Sequence, residues 1–89
     1  MKKSFKITAE TGIHARPATI LVNEAVKYSS EITLEVEGRK INMKSIMGVM
    51  SLGVYYGSII TIEADGQDAE QALMGIEDVI YQLRIGKEY

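Results

Sequence analysis

The sequence predicts an α+β fold in which an antiparallel sheet carries its helices on one face. Two observations lead there. Several short segments alternate strictly between apolar and polar residues, so each would-be strand has a single apolar face and needs cover on one side only. Between them run segments whose apolar residues recur three and four apart, the spacing of amphipathic helices. Read along the chain the elements follow the order β-α-β-β-α-β-α, which helices packed on one face of an antiparallel sheet satisfy.

Residues 2 to 8 open the chain as a strand, with Phe5 and Ile7 on one face and Ser4, Lys6 and Thr8 on the other. Pro17, the only proline, lacks an N–H and fixes its own φ, which suits the first turn of a helix. From Ala18 to Tyr28 the residues Ala18, Leu21, Val22 and Ala25 form its buried stripe. Ile32, Leu34 and Val36 then alternate with Thr33, Glu35 and Glu37, and Gly38-Arg39 reads as a tight turn into Lys40-Ile41-Asn42-Met43, giving a hairpin. Ser45 starts a short helical run. Ile60 and Ile62 alternate with Thr61 and Glu63 to return the chain to the sheet between Ser58 and Ala64. Asp65-Gly66 is a turn signal, and Asp68 is placed to cap a last helix whose stripe is Ala69, Ala72, Leu73, Ile76, Ile80 and Leu83.

Composition narrows the class of function. The 89 residues fit one domain, spanning 1–89, near the small end of what buries a sufficient core unaided. There is no cysteine and a single histidine, so neither disulfides nor a structural metal site is expected, and no cofactor is called for. The basic start Met1-Lys2-Lys3 is followed by alternation rather than an apolar stretch, so a cytoplasmic protein without membrane insertion is expected. A net charge of -2 and only 7% aromatic residues argue against direct nucleic-acid binding. An RNA-binding α/β domain would need basic and aromatic residues on the open sheet face, where this chain offers Thr33, Glu35, Thr61 and Glu63.

Chemistry concentrates in Gly12-Ile13-His14-Ala15-Arg16-Pro17-Ala18, where the only histidine stands at the entrance to a helix. Free backbone N–H groups and the positive end of the helix dipole make that entrance an anion site, and the guanidinium of Arg16 can pair with phosphate oxygens. Imidazole is a nucleophile near neutral pH and can carry a phosphoryl group on a ring nitrogen. Taken alone, the same stretch reads more readily as a loop histidine without chemistry beside an ordinary helix start. Lys44-Ser45-Ile46-Met47-Gly48-Val49-Met50 repeats the arrangement with a hydroxyl at a helix start, where Ser45 can be a plain cap or a phosphorylation site. Ile46, Met47, Val49, Met50 and Leu52 are more apolar surface than one face of so short a helix is expected to bury, which suggests an adaptable docking surface; the alternative is that all five are core.

Thr11-Gly12-Ile13-His14-Ala15-Arg16-Pro17-Ala18-Thr19 and Lys44-Ser45-Ile46-Met47-Gly48-Val49-Met50-Ser51-Leu52-Gly53 together resemble the HPr family, the histidine-containing phosphocarriers of the bacterial phosphoenolpyruvate-dependent sugar phosphotransferase system. The similarity runs from Phe5 to about Leu83 and is closest to the Gram-positive type. The resemblance implies an open-faced β-sandwich, four antiparallel strands in the order 1-4-2-3 with three helices on one face. It implies that His14 accepts phosphate on Nδ1 from phosphorylated Enzyme I and passes it to sugar-specific IIA domains, with Arg16 stabilising the phosphate and Pro17 setting the helix start. That is a covalent carrier rather than a free-standing enzyme. Ser45 is then a regulatory phosphorylation site. Thr19, Ile46, Met47 and Met50 belong to the partner-binding face, and an HPr kinase/phosphorylase and a catabolite-control transcription factor join the partners. A competing reading is a regulatory module that uses phosphorylated Ser45 as a corepressor without sugar-pathway transfer; such a module needs no nucleophile at His14. The chain departs from the family pattern at Tyr55-Tyr56 and in the tail from Arg84 to Tyr89.

Overall fold

The computed structural model describes all 89 residues. In chain order the elements are β1 (Lys2–Ile7), α1 (Ala15–Ala25), β2 (Glu31–Val36), β3 (Arg39–Asn42), α2 (Ile46–Ser51), β4 (Ile59–Asp65), α3 (Ala69–Gln82) and β5 (Gly86–Glu88). The strands form one sheet in the order β3-β2-β4-β1-β5, antiparallel at each pairing.

Register follows the alternation read from the sequence. Leu34 lies opposite Ile62, and Ile60 lies opposite both Val36 and Phe5, so the apolar rows of β2, β4 and β1 stand side by side. On the other face Thr33 pairs with Glu63 and Glu35 with Thr61, and the hydroxyls of Ser4 and Thr61 lie 2.8 Å apart. A slip of one residue would exchange the two faces entirely, so burial itself fixes the pairing. Phe5, Ile60 and Ile62 are fully buried, each stabilising the fold by on the order of 2 kcal/mol. With Ala18, Leu21 and Ala25 of α1 and Ala72, Ile76 and Ile80 of α3 they belong to one apolar cluster of 23 residues.

The sheet has five strands where four are expected. The four expected strands keep the order 1-4-2-3, and β5 adds to the free edge of β1, with Phe5 opposite Glu88 and Ile7 opposite Gly86. Gly86-Lys87-Glu88 shows no apolar alternation because it pairs through its backbone rather than through a buried face. Tyr89 N–H extends the ladder to Ser4 O at 3.1 Å, and Lys3 Nζ lies 3.8 Å from Glu88 Oε1.

Smaller differences have equally local causes. The hairpin turn is Glu37-Gly38 rather than Gly38-Arg39, because Val36 pairs with Arg39 and both intervening residues take positive φ, 50° and 78°. Two successive positive φ values are what a type I′ turn requires, and that turn matches the strands' twist. Helix α1 begins at Ala15, so Pro17 is its third residue, still inside the first turn where no N–H is missed. Asp68 stands at the cap position of α3 but makes no cap bond to it. Its carboxylate instead accepts from the N–H groups of Ser29 and Ser30, each at 2.9 Å, and from the Ser30 hydroxyl, tying the entry of β2 to the start of α3.

Candidate functional site

His14 is held outward by what precedes it. Gly12 takes φ +66°, and a Cβ there would collide with Val54 O and come within 2.9 Å of Tyr55 Cα, so only glycine fits. Ile13 is buried, and its N–H donates to Val54 O at 3.1 Å. The next residue therefore turns to solvent. His14 is the N-cap of α1 in extended conformation, φ -97° and ψ -169°, and its side chain makes no capping bond. Its imidazole is exposed and uncommitted.

Beside it the helix start offers donors. Ala18 N–H closes the first helical bond to His14 O at 3.0 Å, whereas the N–H groups of Ala15 and Arg16 have no partner in the protein, and Pro17 has none to offer. The first turn holds no acidic residue to compete with an incoming anion, and Arg16 is exposed and makes no ion pair. Unpaired amides, dipole and guanidinium thus converge on the space around the ring.

That space is a shallow hollow of about 380 Å³ lined by Thr11, His14, Arg16, Pro17 and Ile20, with Leu83 and Ile85 closing its far side. Ile20 and Ile85 escaped the sequence reading: Ile20 is off the buried stripe of α1, and Ile85 follows the end of α3, where periodicity gives no signal. A second hollow of about 460 Å³ opens over β2 and β3 among Glu31, Thr33, Lys40 and Lys44 and contains no histidine.

Ser45 is the N-cap of α2, and its Oγ accepts from Gly48 N–H at 3.0 Å. Glycine at 48 leaves room for this bond, since a Cβ there would sit 3.3 Å from Ser45 Oγ. The division of the apolar residues left open by the sequence is plain in the structure. Val49 and Leu52 are 1% and 2% exposed, whereas Ile46, Met47 and Met50 are 44%, 83% and 42% exposed. Thr19 is also exposed, with its hydroxyl donating to Ala15 O at 2.8 Å, and α2 packs against α1. No three of the chain's His, Asp and Glu side chains are grouped to hold a metal ion, and no helix is long and apolar enough to cross a membrane.

The family model described as the PTS HPr component phosphorylation site matches residues 1–82. Among solved structures, a mycoplasma histidine-containing phosphocarrier protein is 44% identical, with 96% of this chain and 97% of that one covered and a TM-score of 0.94. The phosphocarrier protein HPr of Bacillus anthracis is 40% identical, with 89% and 94% covered and a TM-score of 0.82. The catabolite-repression protein Crh of Bacillus subtilis, described as a swapped dimer, is 40% identical, with 86% and 88% covered and a TM-score of 0.73.

Proposed function

The chain belongs to the HPr family of the phosphotransferase system, and from that premise we propose that it is a phosphoryl carrier acting through His14. Phosphorylated Enzyme I is the donor and sugar-specific IIA domains are the acceptors, in the cytoplasm. The Nδ1 lone pair of His14 attacks the phosphorus of the donor's phosphohistidine. A new N–P bond forms as the old one breaks, and the donor imidazole leaves with the electron pair. Transfer onward repeats the step with the roles exchanged.

Little covalent work falls to the protein, so its contribution is position and charge. In this reading the N–H groups of Ala15 and Arg16, which have no partner in the protein, donate to the phosphoryl oxygens as these gather negative charge, and the Arg16 guanidinium adds a counter-charge. The exposure of the ring lets two different partners reach it in turn. The observation that carries the reading is an uncommitted imidazole capping a helix whose first two amides are unpaired.

Docking uses Ile46, Met47 and Met50 together with Thr19 on the first helix. Phosphorylation of Ser45 by an HPr kinase/phosphorylase places about two negative charges beside that apolar face. The helix tolerates the charge at its positive end, while an acidic or phosphate-bearing partner is repelled. The likeness to Crh favours a second role, in which the Ser45-phosphorylated form binds a catabolite-control transcription factor. His14 is what separates the two readings, since the regulatory role alone needs no nucleophile. Incubation with labelled phosphoenolpyruvate and Enzyme I should give an acid-labile, base-stable label that His14→Ala abolishes with the far-UV circular dichroism unchanged. A label that persists in that variant refutes the assignment.

A further inference from the structure

The tail from Arg84 onward lies beyond the family match, which ends at residue 82, yet it reaches the His14 site. Leu83 and Ile85 both line the hollow that holds His14 and Arg16. Ile85 O accepts from Thr8 N–H at 2.9 Å and Ala9 N–H at 3.3 Å, which fastens the tail to the loop leading into His14. Arg84 stands between these two wall residues.

Its backbone is unusual for its side chain. Arg84 N–H donates to Tyr81 O at 3.1 Å and Ile85 N–H to Ile80 O at 3.2 Å, the paired bonds that end a helix through one left-handed residue. That residue is Arg84, at φ +56°, where glycine is usual and a Cβ is strained. The guanidinium is exposed, and neither Glu10 on the neighbouring loop nor any other carboxylate pairs with it. A strained position thus carries a long, unpaired cation between two residues that line the hollow, although Arg84 itself is not part of that lining.

We propose that Arg84 is a second phosphate-facing cation of the His14 site, turning its guanidinium onto the phosphoryl oxygens opposite Arg16. The proposal rests on the carrier reading and deepens it. Arg16 approaches from the first turn of α1 and Arg84 from the end of α3, so the transferring group meets positive charge from two separate elements. A guanidinium suits this task because it stays charged and can hold two oxygens at once.

Backbone strain and charge separate cleanly in the test. Arg84→Gly removes the cation and relieves the left-handed residue, so its melting temperature should equal or exceed that of the parent protein. In rapid-quench single-turnover transfer from phosphorylated Enzyme I, the same variant should show a maximal rate about tenfold lower, with an unchanged dependence on protein concentration. Arg84→Lys keeps the charge but not the two-oxygen fork, so its rate should fall between those of Arg84→Gly and the parent protein. Arg84→Gly transferring at the parent rate overturns the proposal. So does a loss confined to the concentration dependence, which would place Arg84 on the docking rim, or a loss that lysine fails to rescue even in part. Parent protein that takes no label on His14 sinks the carrier reading, and this proposal with it; label on the parent with no effect of Arg84 sinks this proposal alone.

Discussion

Ser45 combines two roles that substitution can pull apart. Its Oγ accepts one hydrogen bond, from Gly48 N–H at 3.0 Å, and caps a helix of six residues. Only Val49 of that helix is fully buried, so packing offers little to replace a lost cap. Loss of a serine cap typically costs about 1 kcal/mol, which in a domain of this size lowers the melting temperature by roughly 4 to 8 °C. Ser45→Ala should show that drop and transfer phosphate within about twofold of the parent rate, because the docking side chains remain. Ser45→Asp should do the reverse. Aspartate is itself a leading cap, and its charge at the helix start is worth about 0.3 to 1 kcal/mol, so thermal stability should be retained. The same charge stands next to Ile46 and Met47, where a like-charged partner would be opposed by several kcal/mol. Since each 1.4 kcal/mol is about tenfold, transfer from phosphorylated Enzyme I should fall at least tenfold. Thermal melts by circular dichroism and initial rates of label transfer measure the two quantities. Ser45→Ala losing as much transfer as Ser45→Asp, or Ser45→Asp transferring normally, refutes the reasoning.

Met47, at 83% exposure, should be replaceable by alanine with a stability change within about 0.5 kcal/mol. If it docks partners, the apparent KM for transfer should rise about fivefold while the maximal rate holds. Gly12→Ala should destabilise by about 2 kcal/mol or more in urea unfolding, because a Cβ at φ +66° meets the Val54-Tyr55 backbone. Asp68 gives a pH signature. The Ser30 hydroxyl first, then the backbone N–H groups of Ser29 and Ser30, draw its carboxyl down from 3.8 to about 2. A folded-state pKa below the unfolded one stabilises above about pH 3.8 and is lost as pH falls toward 2. Urea midpoints of Asp68→Asn should therefore show a shallower acid-side fall than those of the parent protein, in which Glu24 and Glu77 are also drawn down and keep their share in the variant.

Much of the fold was legible because burial imposes a period. Phe5 and Ile7, then Ile32, Leu34 and Val36, then Ile60 and Ile62 mark their strands through alternation, and each of these residues is buried on the helix-covered face. Ala72, Ile76 and Ile80 mark α3 in the same way. What escaped is held by backbone bonds or by distant partners. β5 consists of Gly86, Lys87 and Glu88, whose side chains carry no pattern because the pairing with β1 is made by the main chain. Asp68 reads as a cap, but two serine N–H groups 38 and 39 positions away claim its carboxylate. At the site, glycine, histidine, arginine and proline specify a loop, a nucleophile, a cation and a helix start through local rules alone. The far wall at Leu83 and Ile85 comes from the other end of the chain, and no short-range rule connects it to His14.

The central claim is that the open amides at the start of α1 receive a phosphoryl group carried by His14. Amide NMR of the isotopically labelled protein, before and after phosphorylation by phosphoenolpyruvate and Enzyme I, tests it most directly. The N–H resonances of Ala15 and Arg16 should move strongly downfield as they donate to phosphate, with the His14 ring signals shifting in step and the sheet amides of β2 and β4 unmoved. Phosphorylation that leaves Ala15 and Arg16 where they were, or that appears on another residue, contradicts the account.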